Sequence, residues 1–205
     1  MATATPHAAP AGAAGDDPLR RFAALFAQAQ ASSTGDATAA ALATADGDGR
    51  PSVRMVLVKG VDASGFRFFT NLRSRKARDL DENPRAALCF YWPELAQQVR
   101  VEGAVEPLAD GPSDAYFATR ARDSQLGAWA SRQSAVLPSR ELLEERLALV
   151  ADRYAAGPVP RPPFWGGYLL IPERIEFWNG REHRLHDRLL YRRDDGGWLV
   201  ERLYP

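Results

Sequence analysis

The 205-residue sequence predicts a mainly β, α+β domain: an antiparallel β-barrel with accessory helices. About eight short strand-like segments follow one another, most of them separated by turn signals rather than by long helical crossovers. The strand–helix–strand alternation of a parallel sheet is absent, as are GxGxxG and GxxxxGK, which removes Rossmann and P-loop readings. The length suits one domain able to bury roughly 70% of its unfolded-chain surface.

Residues 1–15 are rich in Ala, Pro and Gly and are expected to be a disordered tail, leaving 16–205 as the folded domain. Asp17-Pro18 opens a helix in which Leu19, Phe22, Leu25 and Phe26 recur at three- and four-residue spacing. Thr38–Ala45 reads as a strand, and Asp46-Gly47-Asp48-Gly49 as a turn. Val53–Val58 suits a buried strand, turned back by Val61–Gly65 into Phe66–Thr70. A helix is expected from Ser74 to Asn83-Pro84, then strands Arg85–Trp92 and Gln97–Val105 on either side of Pro93. Helical stretches follow at Asp114–Thr119, Ser124–Ala130 and Ser139–Ala155, the last with Ser139 as N-cap and a stripe of Leu143, Leu147, Val150 and Tyr154. After a Pro/Gly-rich connection come strands Tyr168–Ile171, Arg174–Trp178, Arg184–Arg193 and Trp198–Leu203, the last two joined by the hairpin signal Asp194-Asp195-Gly196-Gly197.

Twenty-six basic and 26 acidic residues cancel, so an anion site must be local and no global field favours nucleic acid. Cys89 is the only cysteine and lies in an apolar run, as a buried small hydrophobe. The N-terminus has no basic or Leu-rich leader and no apolar run spans a bilayer, so the expectation is a cytoplasmic protein without membrane attachment. Three histidines and one cysteine make a metal site unexpected.

Several segments carry chemistry. RMVLVK, Arg54 to Lys59, puts a cation at each end of an apolar strand, on opposite faces by alternation; snorkelling side chains would account for it as well. NLRSRKARDL, Asn71 to Leu80, gathers Arg73, Arg75, Lys76 and Arg78 at a helix start, either an anion site or a solvated basic face. Either Gln97 or Gln98 faces inward. Tyr116, Arg120 and Ser124, spaced by four, would stack on one side of a continuous helix, where phenol, guanidinium and hydroxyl suit a phosphate monoester; an ordinary capped helix is the alternative. In IEFWNGREHRLHDR, Ile175 to Arg188, alternation on a strand would place Arg184, His186 and Arg188 together as a site for an anionic, proton-handling ligand.

This last tract resembles the C-terminal signature of the pyridoxine (pyridoxamine) 5′-phosphate oxidases, and the other blocks follow in family order from Asp16 to Pro205. The resemblance implies a split β-barrel, FMN as cofactor, and oxidation of pyridoxamine or pyridoxine 5′-phosphate to pyridoxal 5′-phosphate, with O2 reduced to H2O2. It implies cofactor contacts from Arg54, Met55, Val56, Leu57, Val58 and Lys59, from Phe69, Thr70, Arg75 and Lys76, and from Gln98, Gln133, Ser134, Trp178 and Arg188. Substrate contacts would come from Lys59, Tyr116, Arg120, Ser124, Arg184 and His186, with the last two catalytic. A homodimer with FMN at the subunit interface is also implied. Phe69 stands where tyrosine is usual and Asn179 where glutamine or glycine is; the family's basic–aromatic arm has no clear counterpart, Arg20 and Arg21 being the nearest basic pair. Two rivals share the flavin positions: an oxidase of phenazine-type metabolism and a non-enzymatic flavin binder. The latter would not need Tyr116, Arg120, Arg184 and His186.

Overall fold

A computed structural model describes residues 17–32 and 34–205, so the expected tail over 1–15 lies outside the described residues. Helix α1, Pro18–Ser32, starts with Pro18 in its first turn and the Asp17 carboxylate accepting the Leu19 N–H at 2.9 Å. Strands β1 (Ala39–Ala45), β2 (Pro51–Asp62) and β3 (Gly65–Asn71) form a meander. Asp46 closes the first turn, accepting the N–H groups of Asp48 and Arg50. Helix α2 (Arg75–Glu82) leads into β4 (Arg85–Trp92), a single 3-10 turn at Pro93–Leu95, and β5 (Gln97–Pro107). Helices α3 (Asp110–Thr119), α4 (Arg122–Ala130) and α5 (Arg140–Arg153) precede β6 (Trp165–Asn179), a 3-10 turn at Glu182–Arg184, and the hairpin β7 (Asp187–Asp194) and β8 (Gly197–Leu203).

All pairings are antiparallel, in the order β3-β2-β1-β4-β5-β6-β7-β8, and β3 also pairs with β6, closing a six-stranded barrel. The split arises on β6. Its residues 165–170 pair with β3, and residues 174–179 on the same edge pair with β7, while β5 runs along the opposite edge. Phe22 from α1 plugs the barrel, its ring 4.9 Å from Phe66 and 5.0 Å from Phe90 in edge-to-face contacts. A second apolar cluster of Phe117, Leu126, Val159 and Trp165 seats α3 and α4 against the start of β6.

Four expectations need correction. The two strands expected at 168–171 and 174–178 are one 15-residue strand, because the register shift opposite Glu102/Gly103 absorbs Pro172 without ending the ladder. Strand β2 is not buried on both faces: Val56 and Val58 point inward, but Val53, Met55 and Leu57 are 69%, 64% and 44% exposed. Cys89 is half-buried, because alternation with the core residues Leu88 and Phe90 puts it on the outer face of β4. The strand expected from Arg184 begins only at Asp187, since His183 and Arg184 adopt φ of 56° and 62°.

Gly103, at the β6 register shift, lets two backbones meet: a Cβ there would lie 1.9 Å from the Ile171 carbonyl oxygen. Gly103→Ala should destabilise the fold by about 1–3 kcal/mol. Gly111→Ala, in open space within the first turn of α3, should instead stabilise it by up to about 1 kcal/mol. Urea unfolding of both variants checks the sign of each.

Candidate functional site

A cavity of about 600 Å³ opens on the outside of the barrel where β2, β3 and the start of β6 face α3 and α4. Tyr116, Phe69 and Trp165 form a stack, with ring centroids 4.2 Å apart for the first pair and 5.5 Å for the second. Lys59, Thr70, Tyr116, Arg120, Ser124 and Gln133 all reach this cavity. The Arg120 guanidinium lies 5.0 Å from the Trp165 ring centroid, and its Nη1 is buried without a hydrogen-bond partner. A buried cationic nitrogen without a partner is costly, and an anion in the cavity would relieve it. Burial pushes the Tyr116 phenol up from its ordinary pKa, so it remains a neutral donor. Lys59 Nζ is held at 3.1 Å from Thr38 Oγ1 and 3.8 Å from Asp36.

Tyr116, Arg120 and Ser124 converge, but not on one helix. Helix α3 stops at Thr119, Arg120 and Ala121 are extended, and α4 begins at Arg122. The side-chain amide of Gln125 donates to the Phe117 carbonyl at 2.9 Å, capping α3 from the following helix. Neither proline nor glycine marks this break, so the sequence carries no local signal for it.

Behind Thr70 stands a cationic wall. Lys76 is only 7% exposed; its Nζ donates to Thr70 Oγ1 and Gln133 Oε1 at 3.1 Å each and to Ser74 Oγ at 3.4 Å. Burial, reinforced by the nearby Arg54 charge and opposed by Asp79, lowers its pKa to about 8. Arg54 points to the inner side of β2, where Nη1 donates to Thr44 Oγ1 and Nη2 to Ser52 Oγ, both at 2.6 Å. Ser134, at φ 70°, accepts the Arg75 N–H at 3.2 Å and ties the loop after α4 to the start of α2. The opposite-face placement of Arg54 and Lys59 is therefore observed, as is the convergence of Arg54, Thr70, Lys76 and Gln133.

The remaining expected residues form a second cluster. Gln98, Trp178 and Arg188 lie side by side across β5, β6 and β7. The His186 ring sits 4.5 Å from Trp178, and its Nδ1 accepts the Arg181 N–H at 3.1 Å, which leaves Nε2 to carry the proton in the neutral ring. Arg184, His186 and Arg188 do not alternate on a strand: the first is in the left-handed turn, the second precedes β7, and the Arg181–Asp187 ion pair at 2.7 Å closes the loop around them. Arg188 is committed within the chain, donating to both Glu176 carboxylate oxygens at 2.7 and 3.1 Å and to the Tyr204 carbonyl at 2.9 Å. Arg20 and Arg21 do not reach the cavity: Arg20 pairs with Asp17, and the Arg21 guanidinium lies 4.9 Å from the Phe177 ring centroid.

None of the second cluster lines the 600 Å³ cavity. Thr70 is opposite Gly166 and Gln98 opposite Trp178, twelve steps further along β6, which is up to roughly 40 Å of strand. Sequence reasoning also missed Asn71, Ser131 and Trp165 in the cavity lining, and Thr44 and Asp79 beside Arg54. Trp165 was hidden because the following Gly166-Gly167 pair reads as a break rather than as strand. Among the described residues, no cluster of His, Cys, Asp and Glu could hold a metal ion, and no helix is long and apolar enough to cross a membrane.

Comparison with known proteins places these features in a family. Residues 26–154 match the pyridoxamine 5′-phosphate oxidase family, and residues 165–205 match the pyridoxine 5′-phosphate oxidase C-terminal dimerisation region. The chain is 60% identical over 200 residues to the pyridoxine/pyridoxamine 5′-phosphate oxidase of Anaeromyxobacter dehalogenans, covering 98% of each chain. It is 56% identical to the protein of that name from Myxococcus xanthus, covering 92% of each. Among solved structures, PhzG from Burkholderia lata 383, in complex with tetrahydrophenazine-1-carboxylic acid, superposes with a TM-score of 0.88 at 35% identity, over 94% of this chain and 95% of that one.

The buried ammonium yields a prediction with a definite sign. Below about pH 8, Lys76 is charged in both folded and unfolded chains, and its burial cost is fully present. Between about 8 and the ordinary 10.5, the unfolded chain keeps a proton that the folded chain has lost, so stability rises with pH. The stability of the unliganded protein relative to Lys76→Met should therefore improve between pH 7 and pH 10, by on the order of 3 kcal/mol. Urea unfolding of both proteins at the two pH values measures the difference, and a gap independent of pH would refute the assignment.

Proposed function

The chain belongs to the pyridoxine/pyridoxamine 5′-phosphate oxidase family, and on that footing we propose that it oxidises pyridoxamine and pyridoxine 5′-phosphates to pyridoxal 5′-phosphate with bound FMN and O2. The observation that carries this reading is the buried, unpartnered Nη1 of Arg120 in a cavity shared with Tyr116, Ser124 and Lys59. Four donor groups around one space, two of them cationic, match a phosphate monoester. FMN, when bound, would supply the hydride-accepting ring, which O2 restores with release of H2O2.

The residues present fit that cofactor. Lys76 and Arg54 are desolvated cations, and Arg75 and Ser134 meet at the start of α2, a donor set suited to a flavin phosphate. Met55, Val56, Leu57 and Val58 supply the strand along the flavin, Phe69 and Thr70 its flank, and Gln98, Gln133, Trp178 and Arg188 the remaining contacts in this assignment. Lys59, Tyr116, Arg120 and Ser124 hold the substrate phosphate, and that remote grip aligns the reacting carbon. Arg184 and His186 orient and polarise the substrate, with His186 Nε2–H as a donor. The phenazine reading is set aside because relatives at 53–60% identity carry the vitamin-pathway name, whereas PhzG stands at 35%.

The two residue clusters lie at opposite ends of β6 within one chain, so the complete site is proposed to form between two subunits of a homodimer. Support comes from the family description of residues 165–205 as a dimerisation region and from the exposed Val53, Met55 and Leu57 on the strand assigned to the flavin. A two-fold axis would then create two equivalent composite sites.

Aerobic incubation of FMN-loaded protein with pyridoxamine 5′-phosphate should yield aldehyde and H2O2 in equal amounts; stable FMN binding without turnover would favour a flavin-binding protein. Arg120→Ala should raise KM roughly ten- to a hundredfold with FMN retained, the loss of one charge-assisted hydrogen bond. Subunit mixing tests the shared site. Arg120→Ala and Arg184→Ala homodimers, each impaired, should regain up to about a quarter of wild-type activity when unfolded and refolded together, because half the dimers are mixed and each of those has one intact site. Mixtures no more active than their parents would place both residues in the same subunit's site.

A further inference from the structure

Beneath the cationic wall lies a carboxylate that the catalytic assignment does not use. Asp79, on α2, is 4% exposed. Its Oδ2 accepts the Thr44 hydroxyl at 2.6 Å, and that same hydroxyl oxygen accepts Arg54 Nη1 at 2.6 Å. Arg54 Nη2 also lies 3.5 Å from Asp79 Oδ2, so the carboxylate holds one guanidinium both directly and through a hydroxyl relay. With Nη1 also facing the Leu42 and Ser52 carbonyls at 3.3 Å, Arg54 is clamped into one geometry on the inner side of β2.

Asp79 also bears on Lys76, one helical turn away. Arg54 from β2 and Asp79 from α2 are the charged groups acting on that ammonium; Thr70 from β3, Gln133 from the loop after α4, and Ser74 offer it only neutral oxygens. A desolvated Arg and Lys beside one another repel, and among the described residues Asp79 is the carboxylate set against both.

We infer that Asp79, acting on Arg54 both directly and through Thr44, is a positioning residue that keeps Arg54 and the neighbouring Lys76 placed for the cofactor's phosphate. The inference rests on the reading of Arg54 and Lys76 as phosphate contacts. It runs against simple charge counting. Removing a negative group raises the local potential and on that ground alone would tighten the binding of an anion. If Asp79 acts by positioning, its loss weakens binding instead, because Arg54 loses its fixed geometry and Lys76 gives up its proton at lower pH.

Fluorescence titration of apoprotein with FMN and with riboflavin tests this. At pH 7.5, Asp79→Asn should weaken FMN at least tenfold while riboflavin affinity stays at its wild-type value. The alkaline fall in FMN affinity should also begin at lower pH than in wild type. Thr44→Val should show a smaller FMN-specific loss, a few-fold, and Thr44→Ser should restore wild-type affinity; circular dichroism checks that each variant is folded. Unchanged or tighter FMN binding by Asp79→Asn overturns the inference, as does an equal loss for riboflavin. Arg54→Ala separates the two levels. If it binds FMN like wild type, the phosphate assignment itself is wrong; if it loses FMN while Asp79→Asn does not, only the role of Asp79 falls.

Discussion

The structure depends on the pairing of one strand. β6 is longer than either β3 or β7, and these two take successive halves of the same edge. Where β3 pairs, the sheet closes into a barrel around Phe22, Phe66 and Phe90; where β7 takes over, it opens into the hairpin of β7 and β8. Continuity across the change relies on Gly103, whose missing side chain lets the Ile171 carbonyl approach. The chemistry follows this division. Thr70, Tyr116 and Arg120 gather at the Trp165 end of β6, and Trp178, His186 and Arg188 gather at the Asn179 end.

A second constraint is electrostatic. The chain has no net charge, yet it desolvates Arg54, Lys76 and Arg120 around one side of the barrel. Their compensation differs. Arg54 and Lys76 share Asp79, Lys76 adds three neutral oxygens, and Arg120 keeps a buried nitrogen with no partner. At the far end, Arg188 is fully engaged by Glu176 and the Tyr204 carbonyl. A guanidinium satisfied within the chain is fixed in place, whereas a buried unpartnered nitrogen calls for a counter-ion. The three arginines thus differ in how far the chain itself satisfies them.

Most of the fold was legible because its signals are local. Turn residues at Asp46–Gly49 and Asp194–Gly197 mark the β1–β2 and β7–β8 hairpins, Asp17-Pro18 and Ser139 mark helix starts, and period-two burial sorts the faces of β1, β4 and β5. What escaped depends on tertiary context. Nothing in Arg120-Ala121 announces a helix break, because the cap comes from Gln125 in the next helix. The left-handed backbone at His183 and Arg184 uses residues that favour other conformations, and it is enclosed by the Arg181–Asp187 pair rather than by a glycine. In the C-terminal tract strand alternation supplied the wrong geometry, since Arg184 and His186 precede β7. Asp79 escaped for a different reason: inside a basic run it reads as a surface counter-charge, and only the crossing of α2 over β1 and β2 makes it a buried partner of Arg54.

The outer face of β2 links the apolar surface of the barrel to the cavity beside it. Val53, Met55 and Leu57 stand exposed in a row on the strand whose inner face sets Arg54, Val56 and Val58. Covering a large aliphatic side chain gains about 1.5–3 kcal/mol, so three on one strand give a substantial incentive for burial against another surface. Leu57 and Lys59 from that same face reach the phosphate-suited cavity. In the proposed homodimer, the surface that buries the apolar row is therefore continuous with the surface that meets the ligand. Subunit association and site completion become one event, and a chain that carries its anion-binding donors and its His186–Trp178 cluster at opposite ends of β6 needs no internal rearrangement to bring them together.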